Sequence, residues 1–274
     1  MSLYKRLADP LEPAPTLSVY NPLLEDSRST GNGWHIRSRV YPTGDVETLA
    51  ISLGYEDSLK LGGGGKRKNT ERKDMDADIL LRSQRRAKKV IKQKILTMQS
   101  DSLLTLTYRE NQSDLAIAWK HFRKFSKLMK ARYKERWQYV AVPEYQKRGA
   151  VHFHLAISGY YHYNTVRKFW KQAIEADGNV DFGRPTRKNG SPTKSPKKIA
   201  TYLAKYLTKQ ETVEFNKKRY SSSRIELPPV ISAWLALGVP VISVLVGLVN
   251  AQTRKSVQVV YEFESYLPMV IVTT

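Results

Sequence analysis

The chain has 274 residues, and its 46 Lys and Arg against 25 Asp and Glu give a formal charge of +21. An excess of that size goes beyond solubility and implies a polyanionic partner, nucleic acid before a ribosomal or membrane surface. There is no cysteine, which excludes disulfides, thiolate metal sites and cysteine nucleophiles, and the length suffices for one large or two small domains with a real core.

Residues 1–32 are rich in Pro, Ser, Asn and Gly and read as poorly ordered; the opening MSLYKRLADPLEPAP lacks the apolar run of a secretory signal. WHIRSRVY, PTGD and VETLAISLGY, from Trp34 to Tyr55, read as a hairpin around a turn. LGGGGKRKNTERKDMD, from Leu61, reads as a flexible basic linker. Its glycines resemble a phosphate loop superficially, but Arg67 stands where a Ser or Thr must hold magnesium, and no strand leads into it. No ATPase motor is expected.

Residues 77–97 are predicted as a very basic helix with a weak apolar face of Ile79, Ala87, Val90, Ile91 and Ile95, either solvated or facing DNA. SLLTLTY, from 102, is a strand. Ser113 is placed to cap a helix whose Leu115, Ala118, Trp119, Phe122, Phe125 and Met129 share one face. WQYVAVPE and VHFHLAI are the next strands. Asn164 is placed to cap a second helix with Val166, Phe169, Trp170, Ala173 and Ile174 buried, and Gly178 sits where that helix should stop. NVDF is a short strand. The loop from Arg184 to Lys198 has six positive and no negative side chains, and Ser195-Pro196 is a helix start before KKIATYLAKYLTKQ.

Residues 227–253 carry no charge, and about twenty apolar residues can span a bilayer. Pro228-Pro229 open this stretch and Pro240 splits it, so a buried helix pair or a helix plus a strand is expected in place of a membrane segment. SVQVVYEF and PMVIVTT close the chain as two strands. The central order strand–helix–strand–strand–helix–strand is the split βαβ, ferredoxin-like arrangement of an α+β fold with an antiparallel sheet. Its helices should cover one face and leave the other free for substrate. Three regions follow: an N-terminal extension with its linker (1–75), the core domain (76–220) and an apolar C-terminal extension (221–274).

Chemistry concentrates in two stretches. In VHFHLAI, Val151, Phe153, Leu155 and Ile157 point to the core while His152 and His154 point the other way. Lys147, Arg148 and Gly149 fit a three-residue hairpin loop, which sets Gln146 opposite Ala150, Glu144 opposite His152, and Val142 opposite His154. Two imidazoles and a carboxylate on one face could hold Mg²⁺ or Mn²⁺, with Zn²⁺ the lesser option; a chance run of surface polar residues is the plain alternative. In YLAKYLTK, Tyr202 and Tyr206 lie one turn apart with Lys205, Lys209 and Lys198 around them, and Ala200, Leu203 and Leu207 form an adjacent docking side. A phenol near cations and a metal-bound phosphate can serve as a nucleophile; an amphipathic helix with core aromatics is the plain alternative. Tyr160, Tyr161 and Tyr163 are candidate stacking surfaces for unpaired bases.

These stretches resemble the HUH endonucleases, the His-hydrophobic-His initiators of rolling-circle replication. LLTLTYR (103–109) looks like their first motif, HFH (152–154) like the second, and YLAKYLTK (202–209) like the third in its two-tyrosine form. VPEYQKRGAVHFHLAI (142–157) is similar to replication-associated proteins of filamentous bacteriophages, and the tyrosine pair to the A proteins of small icosahedral phages. The resemblance covers about residues 76–220. It implies a site-specific endonuclease and ligase that nicks a replication origin, where supercoiled duplex opens to a single strand. Tyr202 or Tyr206 would form a 5′-phosphotyrosine and free a 3′-OH for a host polymerase, with a host helicase as further partner. His152, His154 and Glu144 would hold the metal, and Lys205 or Lys209 would steady the phosphate. DNA contacts are assigned to Thr105, Thr107, Lys147, Arg148, Arg184, Arg187, Lys188, Lys194, Lys197 and Lys198. The expected setting is the cytoplasm of a bacterial host, with no membrane. A transposase or plasmid mobilisation nuclease with the same core, or a non-catalytic ferredoxin-like nucleic-acid binder, is the alternative.

Overall fold

A computed structural model describes residues 33–52, 77–183, 187–188, 191–192, 195–208, 219–235, 241–253, 255, 258–261 and 269–274. The expectations for residues 1–32 and for the linker after Leu61 lie outside these.

In chain order the elements are β1 (Trp34–Val40), β2 (Val46–Ser52), α1 (Ala77–Thr97), β3 (Ser102–Tyr108), α2 (Leu115–Tyr133), β4 (Tyr139–Tyr145), β5 (Val151–Ile157), α3 (Tyr163–Ile174) and β6 (Gly178–Gly183). There follow the two-residue strands β7 (Arg187–Lys188) and β8 (Ser191–Pro192), then α4 (Pro196–Thr208), β9 (Ser221–Ser222), β10 (Ile231–Leu235), α5 (Val241–Gln252), β11 (Gln258–Tyr261) and β12 (Met269–Thr273). The central sheet runs β6-β3-β5-β4-β9 with every neighbouring pair antiparallel. Its four long strands and the helices α2 and α3 are the expected split βαβ.

Alternation sorts the two faces of this sheet. Leu104, Leu106, Val151, Phe153, Leu155 and Ile157 form one face, buried beneath Trp119, Phe122, Phe125 and Met129 of α2 and Val166, Trp170, Ala173 and Ile174 of α3. The helical spacing of those residues supplies the stripe that the sheet needs. Trp170 is fully buried, edge-on to Phe125 and Tyr108, and donates Nε1–H to Thr107 O at 2.8 Å. Such ring pairs add about 0.5–1.5 kcal/mol each beyond the area they bury.

Two helix boundaries differ from expectation. Asp114, not Ser113, caps α2: its Oδ1 accepts from Ala116 N (2.7 Å) and Ile117 N (3.1 Å), the reach that an N-cap carboxylate has to the second and third helical amides. Helix α3 starts at Tyr163, ahead of Asn164, after His162, which makes no side-chain cap bond. It stops at Ile174, where Glu175 takes φ 55°. Gly178 is then the first residue of β6. A Cβ there would lie 2.7 Å from Ile174 Cδ1 and 2.8 Å from both Thr107 O and Trp170 Nε1. Gly178→Ala is therefore expected to lower stability by about 2–3 kcal/mol, through overpacking against backbone and a locked indole. A fall in the urea midpoint without a change in slope checks this.

The second face of the sheet is not open, as expected from sequence, but partly roofed. Ala87, Ile91, Ile95 and Met98 of α1 and its end pack with Ile199, Ala200, Leu203, Tyr206 and Leu207 of α4 onto Val140, Val142 and Ala156. Helix α1 is thus a structural layer, with Arg85, Arg86 and Lys89 on its exposed side; the side chain of Ile79 lies outside the described ones.

The two terminal regions share one sheet, β10-β1-β2-β12-β11. The hairpin at Trp34–Ser52 forms as read, and the uncharged stretch contributes a strand, β10, and a helix, α5, whose Leu245 and Val249 pack on Ile36, Val46 and Ala50. No helix among the described residues is long and apolar enough to cross a membrane. Helix α1 is tied to this second sheet through Glu47. Its carboxylate accepts from Tyr41 Oη (2.9 Å) and Gln93 Nε2 (3.3 Å) and lies 3.5 Å from Lys89 Nζ. Burial raises the Glu47 pKa, but Lys89 and these hydrogen bonds outweigh it and leave the group below the usual carboxylate range.

Candidate active site

The site starts from the β4–β5 hairpin. Gly149 takes φ 81°, a left-handed conformation that favours glycine. Its N–H bonds Gln146 O at 2.8 Å, and Gln146 N–H bonds Ala150 O at 2.9 Å. The register that follows sets Glu144 opposite His152 and Val142 opposite His154, as the sequence predicts.

The side chains refine that picture. Glu144 reaches its diagonal neighbour: Oε2 lies 2.8 Å from His154 Nε2. On the far side of the same ring, Thr105 Oγ1 lies 3.3 Å from Nδ1. With Nε2–H donated to the carboxylate, Nδ1 accepts the Thr105 hydroxyl, so carboxylate and hydroxyl together fix the imidazole. His152 is only 7% exposed, and its Nε2 has no hydrogen-bond partner. Burial, then His154 and Arg148, push its pKa down to about 4, so the ring is neutral and its lone pair is available at neutral pH.

Helix α4 lays its phenols on this imidazole. Tyr206 stacks on His154 with ring centroids 4.2 Å apart and planes 6° apart. Tyr202 stands edge-on to His154 (6.2 Å, 89°) and to Tyr206 (5.1 Å, 83°). Tyr206 Oη–H donates to Tyr202 Oη at 2.5 Å. The two phenols differ in access: Tyr206 is 7% exposed and Tyr202 is 39% exposed. Burial first, then Tyr202 and the negative charge of Glu144, raise the Tyr206 pKa well above the ordinary phenol value. Tyr202 also lines a cleft of about 330 Å³ with Leu103, Thr105, Asp181, Gly183, Lys198 and Ile199. The sequence reading missed Asp181. It pairs with Thr105 across β6–β3, and the alternation Asn179-Val180-Asp181-Phe182 already placed it opposite the buried Val180.

The remaining candidates separate. Lys198 lines the cleft, and Lys205 is exposed on α4. Lys147 is exposed at the hairpin tip, whereas Arg148 donates to Tyr108 O (3.1 Å) and Gln146 Oε1 (3.2 Å). Lys197 lies 3.5 Å from Asp45, and Thr107 Oγ1 donates to Asn179 O at 3.2 Å. Arg187 belongs to the β7–β8 pair with Lys188, and neither side chain is among the described ones. Arg184, Lys194 and Lys209 lie outside the described residues. Tyr160 is 62% exposed and Tyr163 is exposed at the start of α3. Tyr161 is instead a core residue, 3% exposed, edge-on to Tyr133 and Trp137, and is no stacking platform.

The donor set suits a divalent cation in type: one unpartnered buried imidazole nitrogen, and a second bonded to a carboxylate oxygen where a cation would replace the proton. As the side chains stand, no three His, Asp or Glu residues among those described are grouped closely enough to hold one.

Residues 101–211 match the family of replication-associated proteins of the ORF2 type. That span takes in β3, the hairpin with both histidines, and the tyrosine helix. No curated protein and no solved structure matches the chain.

Proposed function

We propose, from the match of residues 101–211 to the ORF2-type family of replication-associated proteins, that the chain initiates rolling-circle replication by nicking and rejoining one DNA strand through a tyrosine. The observation that carries this reading is the packing of Tyr202 and Tyr206 on the His154–Glu144 pair. A structural helix has no need of two phenols over a fixed imidazole at the edge of a cleft.

Tyr202 is the first nucleophile in this scheme. It is the exposed phenol, it lines the cleft, and it accepts the Tyr206 proton, so its own proton is the one free to leave. Its Oη attacks the phosphorus, a tyrosyl–phosphate bond forms, and the bond to O3′ breaks. The phenol proton is lost and the departing O3′ takes one up. One phosphodiester replaces another, so no nucleotide is hydrolysed. Tyr206 then serves the second cut, after the covalent link has drawn Tyr202 away from it. Lys198, at the cleft, and Lys205 offset the phosphate charge. His152, His154 and Glu144 would hold a divalent cation, Mg²⁺ or Mn²⁺, which when bound supplies Lewis acidity to the scissile phosphate.

Incubation with supercoiled origin DNA and Mn²⁺ is expected to give nicked circles with protein attached, resistant to denaturant and sensitive to protease. EDTA should remove the adduct and added Mn²⁺ should restore it. Adduct formation unaffected by EDTA would exclude the cation, and nicking without any adduct would exclude the tyrosine.

A further inference from the structure

The charge on α2 has no part in the site. This 19-residue helix contains six Lys and Arg and no Asp or Glu. Its apolar stripe faces the sheet, on the side away from the tyrosines. Lys120, Arg123, Lys127 and Lys130 are all exposed on the outer side, at spacings of three and four that put them in one row. The row is about 15 Å long at the helical rise.

The cations nearby are treated differently. Lys124 pairs with Glu175 at 2.5 Å, and Lys171 and Arg109 pair with Asp177 at 2.5 and 2.8 Å. Among the described residues no carboxylate pairs with Lys120, Arg123, Lys127 or Lys130. Arg167 and Lys168 of α3 add exposed charge on the same layer. Unrelieved repulsion along one helix is a standing cost, and a polyanion would remove it.

We propose that the outer face of α2 is a second DNA-binding surface, which holds the sugar-phosphate backbone of duplex DNA while the opposite side of the domain handles the single strand. Charge complementarity selects a polyanion. The shape and chemistry select a duplex: the row is straight and rigid, and it offers no exposed aromatic ring, whereas single-strand platforms need rings for base stacking. The exposed rings lie elsewhere, at Tyr145, Tyr160, Tyr163 and Tyr202. Contacts from Lys and Arg to phosphate position a protein without reading sequence, so this face grips flanking duplex of any sequence. Only the naming of that duplex as origin-flanking DNA rests on the nicking function proposed above.

The test replaces Lys120, Arg123, Lys127 and Lys130 together by Gln, a good helix former, in the full chain. Affinity for a short duplex of arbitrary sequence is measured as a function of salt. Cleavage of a single-stranded origin oligonucleotide with Mn²⁺ is measured beside it, and helicity and melting temperature serve as controls. Loss of four phosphate contacts is expected to lower the slope of log K against log salt by about 3–4 and to weaken duplex binding on the order of 100-fold or more near 0.15 M salt. Single-strand cleavage should stay within about twofold, since no surface cation of α2 reaches the reacting groups. Unchanged duplex affinity and slope overturn the proposal. An equal loss for duplex and single strand also overturns it, because the row would then belong to the single-strand path. If even the unsubstituted protein fails to cleave, the nicking function falls while the duplex measurement still decides this surface.

Discussion

Tyr202→Phe is expected to lower the rate of first adduct formation by about 10³-fold or more, because it removes the attacking oxygen itself. Tyr206→Phe is expected to leave the first cut within about tenfold and to block the second, rejoining step. The asymmetry follows from the pair's geometry. Tyr206 lies beneath the surface, flat on His154, and spends its proton on Tyr202 Oη. Burial and the neighbouring groups oppose its ionisation. Tyr202 lies at the cleft and is the more accessible ring. The measurement is single-turnover adduct formation on an oligonucleotide, followed by transfer to a second strand. Equal loss in both single variants would make the pair one functional unit, and adduct surviving in the double Phe variant would remove both tyrosines from the chemistry.

The second large effect is expected at His152. His152→Ala should reduce adduct formation by roughly 100-fold or more at limiting Mn²⁺, with partial recovery as Mn²⁺ rises. The ring is buried, neutral and has an unpartnered Nε2, which is costly in a fold unless something binds there. Mn²⁺ binding, followed by calorimetry without DNA, separates a ligand from a merely structural group. A ligand loses binding heat, whereas a packing residue loses melting temperature and keeps the heat. Should His152→Ala retain full Mn²⁺ affinity, the cation would have to be held elsewhere.

Much of the site could be read before any coordinates because it is built from short-range geometry. Gly149 after Lys147-Arg148 fixes a hairpin, the hairpin fixes the register, and the register puts Glu144 and both histidines on one face. Helical spacing likewise joins Tyr202 to Tyr206. What was not legible depends on distant partners. The diagonal choice of His154 by Glu144 is a matter of side-chain reach that register alone leaves open. The apolar residues of α1 are too few to announce a core face until α4 is laid against them. Nothing local in β2 declares that its outer edge pairs with β12, at the other end of the chain. Tyr161 and Tyr160 are adjacent, yet one is core and the other surface, because only Tyr161 turns inward to donate its hydroxyl to Arg136 O.

The roof over the second sheet face bears on where this protein can be cut down. The family match begins at residue 101, after α1 has ended, but Ile91 and Ile95 of α1 are the back wall of the helix that carries both tyrosines. A fragment trimmed to the matched span would expose the rear of α4 to water and loosen the stacking of Tyr206 on His154. The Glu47 anchor extends the same dependence to the terminal sheet. The unit that holds the tyrosines in place is in this sense assembled from both ends of the polypeptide, and the smallest fragment worth expressing is much larger than its motifs.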